Sequence, residues 1–295
     1  MAPVKTYFTI IFFGLTTGIT SSRDLNAQDN IVLCDPCMQH GWNADFELGI
    51  LRGYVTRDPG SINQENRTGT GTYRVTPEGE YAAAPRIALS YLDSSGVGLR
   101  ATYFSYDADT DVYVDPDSDA SLQFKVGLWS TDYEMLFAKT GPRCSSLFSA
   151  GVRVMSFNFE ELQGQAAGSI IDFHRDSTFT GYGPTAALEL RRPGGILTPF
   201  VKLRASVLYG DIEREDLLTG NQTQDWESTL ETYFESQLGL ECRKAVGCGQ
   251  WFFRTGLEAH YAPLLGTVSE TGSDHEEDNM AWGLIGCTFS TGFRF

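Results

Sequence analysis

The connectors constrain this chain most. Ten segments of its 295 residues alternate apolar and polar side chains with a period of two, the signature of strands. They lie near 44–56, 83–93, 96–107, 119–138, 145–160, 176–192, 196–212, 228–244, 249–265 and 279–295. Between them, short connectors at Asp93–Gly96, Thr140–Cys144, Arg192–Gly195 and Ala245–Gly249 take turns with long ones near 57–82, 107–119, 160–175, 212–227 and 266–278. Strict alternation of this kind suits an antiparallel barrel with tight turns on one rim and loops on the other. A Greek-key sandwich, whose connections cross between sheets, gives no reason for it.

Charge divides the same way. Taken as 57–81, 107–119, 160–176, 211–227 and 266–278, the five long connectors hold 20 more acidic than basic residues, against a formal net charge of −16 for the whole chain. The remainder is therefore mildly basic, with Lys139, Arg143, Arg191, Arg192, Arg243 and Lys244 at the short turns. An acidic rim opposite a basic one is a polarity that a soluble domain does not require. A chain with no basic stripe also has no electrostatic footprint for nucleic acid.

Mean hydropathy is −0.21, and no apolar run of spanning length follows the first twenty residues, which excludes a helical membrane protein. Strands crossing lipid carry apolar residues on one face only and leave just such a weak trace. The start reads as a secretory signal peptide: Lys5, then the apolar stretch Tyr7 to Leu15, then small and polar residues up to Ala27. The predicted organisation is a signal peptide over 1–27, a Cys-containing segment over 28–43 and an all-β transmembrane antiparallel barrel of about ten strands over 44–295.

Export permits disulfides. Cys34 and Cys37 form a lone CxxC near His40, without the second pair that zinc would need or the surroundings of a thioredoxin. A local disulfide or free thiols is the reading. Cys242 and Cys248 bracket a short turn and are placed to staple it, whereas Cys287 reads as a small apolar residue facing out of the last strand.

That last strand, 279–295, puts Gly283, Ile285, Cys287, Phe289, Thr291, Phe293 and Phe295 on one face and Trp282, Leu284, Gly286, Thr288, Ser290, Gly292 and Arg294 on the other. The alternating aromatics Phe289, Phe293 and Phe295 look like the signal by which outer-membrane assembly machinery recognises its clients. Elsewhere the outer sets include Val201, Leu203, Val207 and Tyr209, or Trp251, Phe253 and Leu257. In 119–138 the apolar set Leu122, Phe124, Val126 and Leu128 changes parity to Tyr133, Met135 and Phe137, and a bulge near Ser130 would explain it. The opposite faces bring Arg100, Lys125, Arg153, Glu189, Lys202, Arg204, Glu235, Arg254, Glu258 and Arg294 into the lumen as candidate pore-lining residues. Both signs occur, so they can pair.

The stretches GWNADFELGILRGY at 41–54, GVRV at 151–154, GYGPTAALELRRPGG at 181–195, FVKLRASVLYGD at 200–211, FFRTGLEAHY at 252–261 and the terminal GFRF resemble the Legionella major-outer-membrane-protein-like family of pore-forming proteins. LCDPC at 33–37 is similar to the Cys-rich stretch that planctomycete members carry after the signal peptide. The resemblance implies an outer-membrane barrel with porin-like activity and supplies no catalytic residues.

For catalysis, His275 beside Asp274 and His174 beside Arg175 sit in polar connectors where such neighbours arise by chance, so the chain is read as no enzyme and as needing no cofactor. Asp107, Asp109 and Asp111 begin like a calcium loop, but Val112 stands where the glycine belongs and Ser118 where the bidentate glutamate belongs. They are at best a weak divalent-cation site. The expected function is passive diffusion of small solutes or ions, with cations drawn to the acidic mouth. The alternative is a surface-interaction barrel with a plugged lumen, since ten strands stand near the size that side chains fill. Expected partners are outer-membrane lipid, the assembly machinery, small solutes and divalent cations at the acidic connectors.

Overall fold

The computed structural model describes residues 41–57, 78–109, 113–114, 120–141, 144–165, 169–192, 197–218, 221–263 and 280–295. The signal-peptide reading, Cys34, Cys37, Asp111 and His275 fall outside these residues.

The strands run β1 (Gly41–Arg57), β2 (Glu78–Leu92), β3 (Val97–Asp109), the two-residue β4 (Tyr113–Val114), β5 (Ala120–Thr140), β6 (Ser145–Gln165), β7 (Ser169–Arg191), β8 (Leu197–Leu218), β9 (Asn221–Val246), β10 (Gly249–Ala262) and β11 (Met280–Arg294). Sequential neighbours pair antiparallel, β3 pairs with β5, and β11 returns to β1, so ten long strands close into a barrel. The seam is sealed by two backbone hydrogen bonds of 2.9 Å between Trp42 and Phe295. Closure leaves no long strand with an unpaired edge, the condition for a sheet to cross lipid.

The short turns fall where the sequence places them. Between β2 and β3, Asp93 Oδ1 accepts from Ser95 Oγ (2.6 Å), Ser95 N (2.9 Å) and Val97 N (3.0 Å), and Gly96 supplies the left-handed backbone at φ 83°. The Ser95 hydroxyl, then the Val97 and Ser95 amides, hold the Asp93 carboxyl below its ordinary value. Cys242 and Cys248 do not staple the last short turn. Both are free thiols, because Cys242 stands on the outer face of β9 while Cys248 lies in the turn itself.

Two of the expected long connectors, 160–175 and 212–227, are instead continuous ladders. β6 and β7 pair out to Gln165 and Ser169, and β8 and β9 to Leu218 and Asn221. Their outer cross-strand pairs are polar: Ser228 donates to Asp211 (2.6 Å), Gln224 to Glu213 (2.7 Å), and His174 lies 3.1 Å from Glu160. With few apolar residues on that face the alternation fades, so these strands hide from a period-two reading. At 26 residues β9 far exceeds the ten or so that cross a tilted bilayer.

The expected bulge near Ser130 is absent. β5 keeps one register against both β3 and β6, and its even residues face inward throughout, from Phe124, Val126 and Leu128 to Ser130, Asp132, Glu134 and Leu136. The apparent change of parity marks a change in what the lumen contains.

The outer face is an apolar belt. Leu203 (48% exposed), Leu238 (62%), Leu257 (63%) and Phe253 (51%) point away from the barrel. From Leu230 to Leu240 the strand rises about 34 Å, or roughly 25 Å along the normal at a tilt of ~45°, the height of a lipid-facing band. Aromatics edge it on the short-turn side, where Trp42 lies 5.3 Å from Tyr91 and Trp251 lies 6.1 Å from Phe293. Tyr103, Trp129, Tyr182, Tyr209 and Trp226 stand exposed towards the other side. Leu238→Arg, placed in mid-belt, is expected to lower the stability of the liposome-folded barrel by about 2–4 kcal/mol. Urea titration of unfolding from lipid checks it, and an unchanged midpoint would mean that this face does not meet hydrocarbon.

Candidate functional site

The lumen divides into two layers. The one nearer the short turns is ionic. Arg153 on β6 donates to Asp132 Oδ1 (2.6 Å) and Oδ2 (2.9 Å) on β5, and its Nη2 lies 2.5 Å from Glu235 on β9. Arg204 on β8 reaches across to Asp132 and to Glu134 (3.1 Å), and Arg100 on β3 meets Glu134 from the other flank (2.8 Å). Arg86 on β2 pairs with Glu47 on β1 and donates to Glu258 on β10 (2.6 Å). Gln237 donates to both Glu47 and Thr288 at 2.8 Å. Below these, Arg254 meets Glu241 at 2.5 Å, and Arg191 meets Glu189 at 2.5 Å.

Most of these groups lie within a tenth of full burial. Charges taken so far out of water are tolerable only when paired and hydrogen-bonded, and here Asp132, Glu134 and Glu235 each serve two or more cations. Guanidinium forks suit such sharing, because their donors are fixed in a plane.

At the boundary, Tyr233 Oη lies 2.6 Å from His260 Nδ1, and His260 Nε2 lies 3.0 Å from Glu258 Oε1. Tyr233 and His260 Nδ1 are thus hydrogen-bonded, whereas Nε2, close as it is to the carboxylate, has no aligned hydrogen-bond partner. Glu235, Glu258 and His260 bring ligand atoms within 4.8 Å of one another, the spacing of a metal triad. Arg86 and Arg153 already occupy those carboxylates, however, so a divalent cation would sit against two guanidiniums. The residues do not fit a metal.

The second layer, towards the long hairpins, is dry. Leu51, Phe104, Tyr106, Phe124, Val126, Leu128, Met155, Phe157, Phe159, Phe179, Leu208, Trp282 and Leu284 form one buried cluster. Phe157 on β6 and Trp282 on β11 meet edge to face with ring centroids 4.9 Å apart. Those strands stand five places apart in a ring of ten, so the two rings bridge the lumen from opposite walls. Gly181 makes room here, since a Cβ on it would sit 2.4 Å from the Phe179 ring.

Of the sequence-derived candidates, Arg100, Arg153, Glu189, Lys202, Arg204, Glu235, Arg254, Glu258 and Arg294 face inward, the first eight in the ionic layer and Arg294 at its outer end. Lys125 does not. With no bulge its position is on the outer face, where it lies 3.1 Å from Glu160. Asp107 and Asp109 also face outward on the extended β3, with Lys125 opposite Asp109, so they do not form the turn that a calcium loop needs. His174 belongs to the same outer surface, paired with Glu160 outside the lumen. Sequence reading singled out neither Glu47 and Arg86 nor Asp132 and Glu134. A reliable parity for β1, β2 and β5 would have found them, since each occupies an inward position.

Glu231 breaks the pattern of the dry layer. It is 1% exposed, faces inward beside Leu208, and neither carboxylate oxygen has a hydrogen-bond partner. Glu231→Leu is expected to stabilise the barrel by about 1–3 kcal/mol, because it removes an unsatisfied buried polar group. Asp132→Ala, which removes the carboxylate that Arg153 and Arg204 share, is expected to cost about 3–5 kcal/mol. Equilibrium unfolding of the two variants beside the parent checks both signs.

The sequence matches no family model and no curated protein. Among solved structures, the outer membrane protease OmpT from Escherichia coli is similar in fold, with a TM-score of 0.53 at 9% identity over 86% of this chain and 96% of that one. The translocator domain of the autotransporter NalP from Neisseria meningitidis aligns at TM-score 0.45 and 12% identity, over 86% and 89% of the two chains. Neisserial surface protein A aligns at 0.33 and 12%, over 86% and 97%. The fold of this chain is that of a bacterial outer-membrane β-barrel.

Proposed function

We propose that the chain is an outer-membrane barrel with a closed lumen, a rigid anchor that presents its long acidic hairpins outside the cell while its short turns face the periplasm. The observation that carries this reading is the Phe157–Trp282 contact across the barrel, backed by the buried apolar cluster around it. Water and ions crossing such a layer would shed their hydration without compensation. The outward Phe289 and Phe295, and Phe293 stacked on Phe295 at 5.8 Å, suit recognition by assembly machinery from the lipid side. The acidic outer connectors suit divalent cations shared with anionic headgroups. The resemblance to the Legionella family supports the same location.

A second reading, passive diffusion of small cations, is favoured by the ionic layer and its opening on the short-turn side. Planar-bilayer recording separates the two. The parent barrel is expected to be silent, and the double variant Phe157→Ala with Trp282→Ala, which opens the seal, is expected to conduct. Steady cation-preferring steps from the parent would overturn the closed-lumen reading.

A further inference from the structure

The ionic layer is not fully paired. At the short-turn end a cavity of ≈ 80 Å³ opens between the strand ends, lined by Asn43, Asp45, Arg100, Lys202, Arg254 and Arg294 among others. It leads from the rim at Arg294 inward to Glu47 and Arg86. Among the described residues, Lys202 and Arg294 make no ion pair or hydrogen bond, whereas the arginines around them are held by carboxylates. Lys202 stands on the inner face of β8 opposite Glu189 of β7, with Arg86, Arg100 and Arg204 acting on it as like charges and Glu47, Asp45 and Glu189 as opposite ones, none of them in an ion pair with it. Arg294, at the end of β11, has Arg191, Arg243 and Arg254 as its cationic neighbours.

The cleft's lining holds Arg86, Arg100, Arg191, Lys202, Arg254 and Arg294 against Asp45, Glu47 and Glu189, and a cationic excess in a narrow polar cleft attracts an anion, because the surrounding barrel wall weakens screening. The same cleft also offers acceptors. Asp45 is held only loosely, with Arg254 Nη1 at 3.7 Å, and its Oδ1 has no donor. Asn43 Oδ1 has none either. A bare oxyanion would satisfy the cations and be repelled by Asp45. An oxyanion that still carries a proton satisfies both kinds of group.

We propose that this vestibule is a binding site for hydrogen phosphate or a small phosphomonoester, whose oxygens accept from Lys202 and Arg294 while its P–O–H donates to Asp45. The volume admits one such group, being several times the ~10–15 Å³ that one water needs by the same measure. Sulfate, similar in shape but unprotonated at neutral pH, has no donor for Asp45. A phosphodiester headgroup lacks the proton as well, so lipid is the wrong source.

The test is calorimetric titration of the folded full-length barrel in non-ionic detergent at fixed ionic strength, with inorganic phosphate as the probe. A saturable single site is expected, with sulfate and a short-chain phosphatidylglycerol each at least tenfold weaker. Lys202→Gln is expected to weaken phosphate at least tenfold, Lys202→Arg to retain it, and Asp45→Asn to abolish the preference over sulfate. Heat-modifiable migration and circular dichroism confirm that each variant is folded, and Lys202→Arg keeps the charge should Lys202→Gln fail to fold. No saturable phosphate binding, binding that survives Lys202→Gln, or equal affinity for sulfate would overturn the site. None of these outcomes bears on conductance, so failure here and failure of the closed-lumen reading are distinguishable.

Discussion

Closure of the ladder between β1 and β11 is the constraint from which the rest follows. Backbone amides and carbonyls in hydrocarbon have no solvent partner, and only a ring of strands satisfies them all. Once the ring is closed at ten strands, its bore is set, and it lies near the width that side chains can fill. Every second residue of every strand is then committed to an enclosed space that must be packed, paired or wet. This chain uses all three solutions in sequence along the axis: aromatic rings, then interlocked ions, then a small polar recess.

The two buried layers differ in what they contribute. Aromatic and aliphatic packing inside the barrel gains dispersion contacts and forms the seal. The ionic layer offsets its own desolvation at best, since buried pairs rarely stabilise relative to apolar replacements. Its geometry suggests a different use. Arg153, Arg204 and Arg86 each tie strands that are not neighbours in the sheet, so the network constrains barrel shape where backbone ladders constrain only adjacent strands. A carboxylate such as Asp132, shared between two forks, fixes both at once.

The barrel is legible in the sequence because lipid imposes a one-sided greasy pattern, which β10 obeys throughout and β8 as far as Tyr209. Their inward residues, including Lys202, Arg204, Arg254 and Glu258, were identified on that ground. Legibility failed in two places, for related reasons. In β5 the inward face turns from acidic to apolar at Leu128, so apolar residues mark the inside where the period-two reading puts them outside. The bulge at Ser130 and the inward placement of Lys125 both followed from that inversion. In the upper parts of β6 to β9 the outer face is polar, so the alternation vanishes although the strands continue. The seal itself carried no signal: nothing in the spacing of Phe157 and Trp282 reveals that they touch across the bore, because that contact depends on ring order and diameter.

The strand lengths are unequal, and this shapes the outer end of the molecule. β5 to β9 run 21 to 26 residues, whereas β3, β10 and β11 run 13 to 15. Among the described residues, staves of such different height leave one flank of the barrel extended well beyond the other, stiffened by its own hydrogen-bond ladders and largely polar on its outer wall. A large molecule arriving there meets a handed, one-sided profile, so the barrel has a front and a back although its fold is a ring.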